Sequence, residues 1–177
     1  MVLKRKIFDK LLEWKNNTNK VAILIKGARQ VGKTYIAREL GKHYKNFIEI
    51  NFERNTKAKE AFEGELTADV IIAKLSLLGF GNFSEPNTLI FFDEIQFCPR
   101  ARTAIKFLVE DGRFDYISSG SVLGLNYKEV SSYPVGYEDQ LKMYKKSLDS
   151  YQVQYDQTKI KKEKRSICHE YKNDGTI

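Results

Sequence analysis

Four short segments of the chain have the length and composition of strands, and segments of helical periodicity separate them. The strand segments are Val21–Ile25, Phe47–Phe52, Thr88–Phe92 and Asp115–Ser118. Apolar residues recur at helical spacing in Ile7–Trp14, in Tyr35–Tyr44, in two pieces of residues 56–79 that break near Gly64, and in Arg102–Glu110. Because strands that alternate with helices form parallel sheets, the pattern predicts an α/β fold, with a mostly parallel sheet of about five strands and helices on both faces.

The loop after the first strand carries the most specific motif of the chain. It fits the pattern G-x-x-x-x-G-K-[ST], and its residues are Gly27, Ala28, Arg29, Gln30, Val31, Gly32, Lys33 and Thr34, with Tyr35 opening the helix that follows. In such a loop the glycines let backbone N–H groups surround phosphates, the lysine reaches the β and γ phosphates, and the threonine hydroxyl binds Mg²⁺. The N-terminus of the following helix adds a positive dipole end. The sequence therefore predicts a P-loop that binds a nucleoside triphosphate.

Two acidic residues follow the third predicted strand. Asp93 and Glu94 stand directly after the apolar run Leu89–Phe92, where enzymes with a phosphate loop hold a ligand of Mg²⁺. We expect Asp93 to join Thr34 as a metal ligand, and Glu94 to accept a proton from a water molecule that attacks the γ phosphate. The alternative is that the acidic pair only caps a helix.

Hydroxyl groups cluster at the end of the fourth predicted strand, at Ser118, Ser119 and Ser121. This end of the sheet is where the γ phosphate is expected. Ser119 is the best candidate for a catalytic polar group beside Lys33 and Glu94. An ordinary serine-rich turn is the alternative.

Composition narrows the class of protein further. A chain of 177 residues has room for one principal α/β domain. The formal net charge is +7, but no stripe of basic and aromatic residues accompanies it, so a solvated charged surface is favoured over a nucleic-acid footprint. Cys98 and Cys168 are far apart in sequence, which indicates free thiols and a cytoplasmic location. The apolar runs are too short to span a membrane.

Four motifs in order resemble the ATPases of the AAA superfamily. They are GARQVGKT at Gly27–Thr34, FFDEIQFCPRA at Phe91–Ala101, YISSGSVLG at Tyr116–Gly124 and SSYPVGYE at Ser131–Glu138. More narrowly, the chain is similar to an uncharacterised prokaryotic group of ATP-binding proteins with R-Q-x-G-K-T and D-E-I-Q motifs. The resemblance implies an AAA-type ATP-binding domain in residues 1–144, with ATP and Mg²⁺ as ligands. It places Gly32, Lys33 and Thr34 on the phosphates and Asp93 and Glu94 on the metal and the water, and it allows a homo-oligomer.

Two features depart from that family. The segment Val122–Gln140 contains no arginine, although AAA enzymes commonly place an arginine finger there. Arg100 and Arg102 either supply this charge to a neighbouring subunit or are surface residues of a helix.

Residues 145–177 form a polar, Lys-rich tail where relatives continue into a C-terminal domain, and the tail is expected to be disordered or loosely helical. It either binds an acidic partner or results from a truncation or a reading-frame change.

The sequence thus favours an ATPase that converts ATP and water to ADP and phosphate with Mg²⁺. A second hypothesis is a nucleotide-binding switch or remnant that acts through a partner without hydrolysis. A P-loop kinase is less favoured, because an adjacent Asp-Glu pair fits the activation of water. The target of the ATPase is not indicated, and a protein or DNA partner stays open.

Overall fold

The computed structural model describes residues 6–121 and 134–144. In chain order the elements are α1 (Lys6–Lys15), β1 (Ala22–Gly27), α2 (Lys33–Gly41), β2 (Asn46–Asn51), a 3-10 helix (Thr56–Phe62), α3 (Ala68–Leu77), β3 (Thr88–Asp93), a 3-10 turn (Ile95–Phe97), α4 (Pro99–Asp111), β4 (Asp115–Ser121) and β5 (Glu138–Met143). Within the described ranges, no helix has the length and apolar character that crossing a bilayer requires.

The five strands form one sheet in the order β2-β3-β4-β1-β5, and every neighbouring pair is parallel. The carboxyl ends of all five strands therefore lie at the same edge. This edge brings together Gly27 of β1, Asn51 of β2, Asp93 of β3 and Ser121 of β4. In open parallel sheets, such an edge is where ligands bind.

Each face of the sheet is covered by its own set of helices. On one face α1 and α2 pack Ile7, Leu11, Ile36 and Leu40 against the strands. On the other face α3, α4 and the 3-10 helix form a second apolar cluster, whose aromatic centre is Phe52, Phe62, Phe92 and Tyr116. Strands covered on both sides are buried along their whole length, and most of their residues are apolar. This explains why β1 and β3 are buried throughout.

The local sequence also accounts for where elements begin and end. Helix α4 starts at Pro99, whose ring suits the first helical turn. The same helix ends before Gly112, which has a φ of 71° and takes the left-handed conformation that glycine accepts readily. The indole N–H of Trp14 donates to the carbonyl oxygen of Val21 at 2.7 Å, and this bond fastens the end of α1 to the start of β1.

The α/β fold, the parallel sheet and the helices on both faces are confirmed. Two details differ from the prediction. The first helical piece of residues 56–79 is a 3-10 helix, Thr56–Phe62. The strand β5 was not assigned a place by the sequence pattern, because four of its six residues are charged or amide residues. Of residues 122–138, for which the sequence predicts a loop or short helices, the structure describes those from residue 134 onwards: a turn covers residues 135–137 and β5 begins at Glu138. Residues 122–133 and the tail at 145–177 lie outside the described residues.

Candidate nucleotide site

The loop between β1 and α2 is shaped by two glycines. A Cβ atom on Gly27 would lie 2.5 Å from the carbonyl oxygen of Met143 in β5 and 2.9 Å from Cγ2 of Val31, so a side chain at this position would collide with the neighbouring strand. Gly32 has φ 92° and ψ 28° and stands immediately before α2. This left-handed conformation is one that glycine adopts without strain. The loop therefore turns back tightly over the edge of the sheet.

Lys33 is buried although it is charged, with 5% of its surface exposed. Its ammonium group donates to the carbonyl oxygens of Gly27, at 3.2 Å, and Ala28, at 3.0 Å. A buried ammonium group needs such partners, because burial removes its water shell. Two neutral carbonyls satisfy its hydrogen bonds but do not balance its charge, so the loop presents a positive charge at its inner side.

Asp93 is the centre of the polar contacts at the carboxyl edge. Its carboxylate accepts hydrogen bonds from the hydroxyl of Ser119 at 2.5 Å, the side-chain amide of Asn51 at 2.9 Å and the hydroxyl of Thr34 at 3.2 Å. These donors come from β4, β2 and α2. Together with β3, which carries Asp93, four elements meet at one carboxylate. Asp93 itself is only 4% exposed. All three donors are neutral, and the negative charge of Asp93 is not cancelled by a cation among them.

Glu94 directly follows β3 and has a left-handed backbone, with φ 54° and ψ 49°. A residue other than glycine rarely takes this conformation, and the residues that do so are often found at functional sites. The backbone N–H of Glu94 points to the hydroxyl oxygen of Ser119 at 3.5 Å. Its carboxylate accepts a hydrogen bond from the side-chain amide of Gln96 at 2.5 Å. The turn thus separates the two acidic side chains, and each has its own partners.

The structure brings most of the predicted site residues to one edge of the sheet. Lys33, Thr34, Asp93, Glu94 and Ser119 are buried or half-buried there. The remaining loop positions surround them: Gly27, Val31 and Gly32 are covered, whereas Ala28, Arg29, Gln30 and Tyr35 are exposed.

The geometry bears on two choices left open by the sequence. Ser119 is the serine whose hydroxyl contacts Asp93, while Ser118 points to the opposite face of the sheet because side chains alternate along a strand. Arg102 is not a surface residue. It is buried and forms an ion pair with Glu138 of β5 at 2.9 Å. Arg100 donates to the carbonyl oxygen of Phe62 at 2.6 Å.

Two polar partners in the site were missed by the sequence analysis. Asn51 ends the alternating strand β2 and lies opposite Asp93 in the sheet register. Gln96 lies two residues after Glu94 in the 3-10 turn. A polar residue at the carboxyl end of a parallel strand was a usable signal for Asn51. The contact of Gln96 depends on the turn geometry and had no signal in the sequence.

The side chains at this edge fit Mg²⁺ by their chemistry. Mg²⁺ prefers oxygen ligands and usually takes only one or two from the protein, because phosphates and water supply the others. The hydroxyl of Thr34 lies 3.2 Å from a carboxylate oxygen of Asp93, so both offer oxygen atoms to one small volume. In the described part of the chain, no group of three or more His, Cys, Asp or Glu residues forms a protein-only metal site. The edge therefore suits a metal ion that arrives with phosphates.

A parallel α/β sheet with a glycine loop between β1 and α2, a buried lysine in that loop and a carboxylate at the end of β3 defines the P-loop class of nucleotide-binding domains. Comparison with known proteins gives the family. The model of the family described as AAA domain matches residues 19–152, which is more than half of the chain. The chain therefore belongs to the AAA domain family of nucleotide-binding, ATPase-like proteins. No curated protein matches it.

The match to PCH-2 supports the fold. The chain is similar to PCH-2 of C. elegans, with 15% identity, a TM-score of 0.51 and coverage of 80% of this chain and 42% of that chain. It is also similar to the ORC1 protein of Aeropyrum pernix, solved in complex with DNA, with 16% identity, a TM-score of 0.47 and coverage of 76% and 43%. The chain spans less than half the length of either protein. At such identities, the likeness extends to the fold alone.

Proposed function

We propose that the chain binds ATP together with Mg²⁺ and hydrolyses it to ADP and phosphate. The observation that carries the proposal is the convergence of Thr34, Asn51 and Ser119 on the carboxylate of Asp93, beside the phosphate loop. Neutral donors hold this carboxylate in place and bring no positive charge to it. A carboxylate held in this way suits a cation better than it suits a structural ion pair.

The phosphate loop supplies the binding site for the substrate. Backbone N–H groups of the loop and of the first turn of α2 donate to the phosphates, because these groups have no partners within the helix. The ammonium group of Lys33 exchanges its carbonyl partners for the oxygens of the β and γ phosphates. Thr34 and Asp93 would hold Mg²⁺, which would supply positive charge to offset the negative charge of the phosphates.

Glu94 acts on the attacking water. The water oxygen forms a bond to the γ phosphorus, the bond from that phosphorus to the bridging oxygen breaks, and ADP leaves. The proton of the water passes to the carboxylate of Glu94. Ser119 contacts both Asp93 and the backbone N–H of Glu94, so this residue links the metal side of the site to the water side.

The test measures nucleotide binding and phosphate release on the same samples of the full chain. Lys33→Ala removes the phosphate contact and should abolish both. Glu94→Gln should still bind ATP but release phosphate at least about 100-fold more slowly, in line with the effect of removing one catalytic group. Lys42→Ala is the matched control, because Lys42 follows α2 directly, is exposed and forms a surface ion pair with Glu39. Equal phosphate release by the parent and Glu94→Gln would contradict the proposal.

A second candidate is a nucleotide-binding switch that does not hydrolyse ATP. The observation in its favour concerns the two arginines that follow β3. Arg102 is paired with Glu138 inside the protein, and Arg100 is bonded to the carbonyl oxygens of Phe62 and Gly64. In this structure both guanidinium groups are therefore bonded to partners within the chain. Tight ATP binding by a parent chain that releases no phosphate would favour the switch. Transfer of phosphate to an added acceptor, with none released to water, would instead indicate a kinase.

A further inference from the structure

The side chain of Gln96 forms a hydrogen bond with Glu94, the proposed general base. Its side-chain amide donates to Oε2 of Glu94 at 2.5 Å. Its own Oε1 is buried and has no hydrogen-bond partner among the described residues. A buried amide oxygen without a donor is unfavourable, whereas a hydrogen bond to a charged acceptor is stronger than one between neutral groups. The carboxylate of Glu94 therefore accounts for the orientation of the amide.

The opposite orientation of the amide is excluded by charge. If Oε1 of Gln96 faced Glu94, it would place a partial negative charge against a carboxylate. The contact acts on Glu94, since Glu94 is the group that gains a fixed donor.

The backbone holds Gln96 firmly enough to position another side chain. The 3-10 turn Ile95–Phe97 is closed by the N–H of Phe97 on the carbonyl oxygen of Glu94, at 3.0 Å, and by the N–H of Cys98 on that of Ile95, at 2.9 Å. Ile95 and Cys98 are both buried in the core beneath the turn. Gln96 stands between these two anchors, so its amide reaches Glu94 from a fixed base.

Resting on the proposed hydrolysis, we propose that Gln96 is a positioning residue for Glu94. Its amide holds Oε2, and Oε1 of Glu94 is left to accept the proton of the attacking water. The described part of the chain places no donor on Oε1. A general base that is itself oriented by a third group is a recurrent arrangement in enzyme sites. Gln96 acts through Glu94 and makes no contact of its own with the substrate.

The kinetic test replaces Gln96 by methionine, which keeps the length of the side chain and removes the amide. We expect kcat for ATP hydrolysis to fall about 10- to 100-fold, the range seen when a supporting hydrogen bond to a reactive group is lost, while the KM for ATP stays within about 2-fold. In a Glu94→Gln background the same substitution should add no further loss, because residues that act as a unit are not additive. Gln140→Met is the matched control, since Gln140 is a half-buried glutamine in β5 outside the site. It should leave kcat within about 2-fold.

A second measurement detects the hydrogen bond between Gln96 and Glu94 and does not depend on ATP hydrolysis. The side-chain NH₂ resonances of Gln96, assigned by their absence in Gln96→Met, should shift in Glu94→Ala and stay in place in Lys42→Ala. A parent chain that releases no phosphate overturns the proposed hydrolysis, and the role of Gln96 in it, even if these resonances shift. An active parent with unchanged kcat in Gln96→Met, or with NH₂ resonances that do not respond to Glu94→Ala, overturns the role of Gln96 alone. A fall in kcat in Gln96→Met but not in Gln140→Met, together with the shift of the NH₂ resonances, supports the positioning role of Gln96.

Discussion

Two buried carboxylates lie on opposite faces of the same sheet, and their partners differ in kind. Asp93, on the face of α2, accepts hydrogen bonds from two hydroxyl groups and an amide. Glu138, on the face of α4, forms an ion pair with Arg102, and both side chains are 2% exposed. Neutral donors can be exchanged for a cation, whereas a buried guanidinium stays in place. We therefore take the charge of the partners, and not burial alone, as the feature that separates a candidate metal ligand from a structural acid.

The pKa of Glu138 agrees with this distinction. Burial raises the pKa of Glu138 above its usual value of 4.5, and the neighbouring Arg102 opposes the rise only in part. The attraction between Arg102 and Glu138 thus offsets only part of the free-energy cost of burying the carboxylate, as is common for buried ion pairs. The pair connects α4 with β5.

The largest expected effect comes from breaking this ion pair on one side. Arg102→Met leaves the Glu138 carboxylate buried without its cation and should lower the free energy of unfolding by about 3–5 kcal/mol. The double variant Arg102→Met with Glu138→Leu should recover most of that loss, because both members of the buried pair are then replaced by apolar residues. Urea unfolding at neutral pH measures both. A double variant as unstable as the single one would show that the pair itself contributes stability.

The second prediction concerns the other carboxylate. Asp93→Asn should lower kcat for ATP hydrolysis by about 10²–10³-fold, as removal of one charge-stabilising group does at other active sites. Unfolding should change much less, because asparagine still accepts a hydrogen bond. Asp139→Asn, at a half-buried position of β5, is the control and should keep the activity of the parent. If Asp93→Asn retained full activity, the contrast between the two carboxylates would be wrong.

The third prediction is a pH dependence. Since the folded protein raises the pKa of Glu138, the folded state retains a proton that the unfolded chain has already released. The contribution of Glu138 to stability is therefore complete below its unfolded pKa and is lost as the pH rises through its folded pKa. Without Arg102 the rise in pKa is larger. The loss in the free energy of unfolding caused by Arg102→Met should accordingly be smaller at pH 5 than at pH 8. Urea unfolding at both pH values measures it. A penalty that grows on acidification would contradict this.

The smallest expected effect concerns an exposed ion pair on the face of Asp93. Arg38 and Glu49 make a two-point contact, at 2.7 and 2.8 Å, but the side chain of Arg38 is 56% exposed. Exposed pairs contribute only about 0.2–1 kcal/mol. Arg38→Ala should therefore lower the free energy of unfolding by no more than about 1 kcal/mol, and added salt should shrink the difference. A loss as large as that of Arg102→Met would show that burial is not what separates the two pairs.

Local signals predicted most of the fold. Apolar runs marked β1 and β3, helical periodicity marked α2 and α4, and the alternation of the two predicted a parallel sheet. The strand β5 was missed because an edge strand beside β1 needs only a few apolar residues, here Leu141 and Met143. Its place depends on pairing with β1 over the whole of its length. A pattern read along the chain contains no information about that neighbour.

The sequence by itself determined the residues of the candidate site, because a phosphate loop and an acidic pair after a strand are patterns of adjacent residues. Only the tertiary structure decided which distant side chains complete it. Asn51 and Ser119 reach Asp93 because parallel strands end at one edge, and Gln96 reaches Glu94 because a left-handed residue redirects the chain. Arg102 likewise became an internal partner of Glu138 and not a surface residue. Such contacts are set by register and backbone direction, which no single segment encodes.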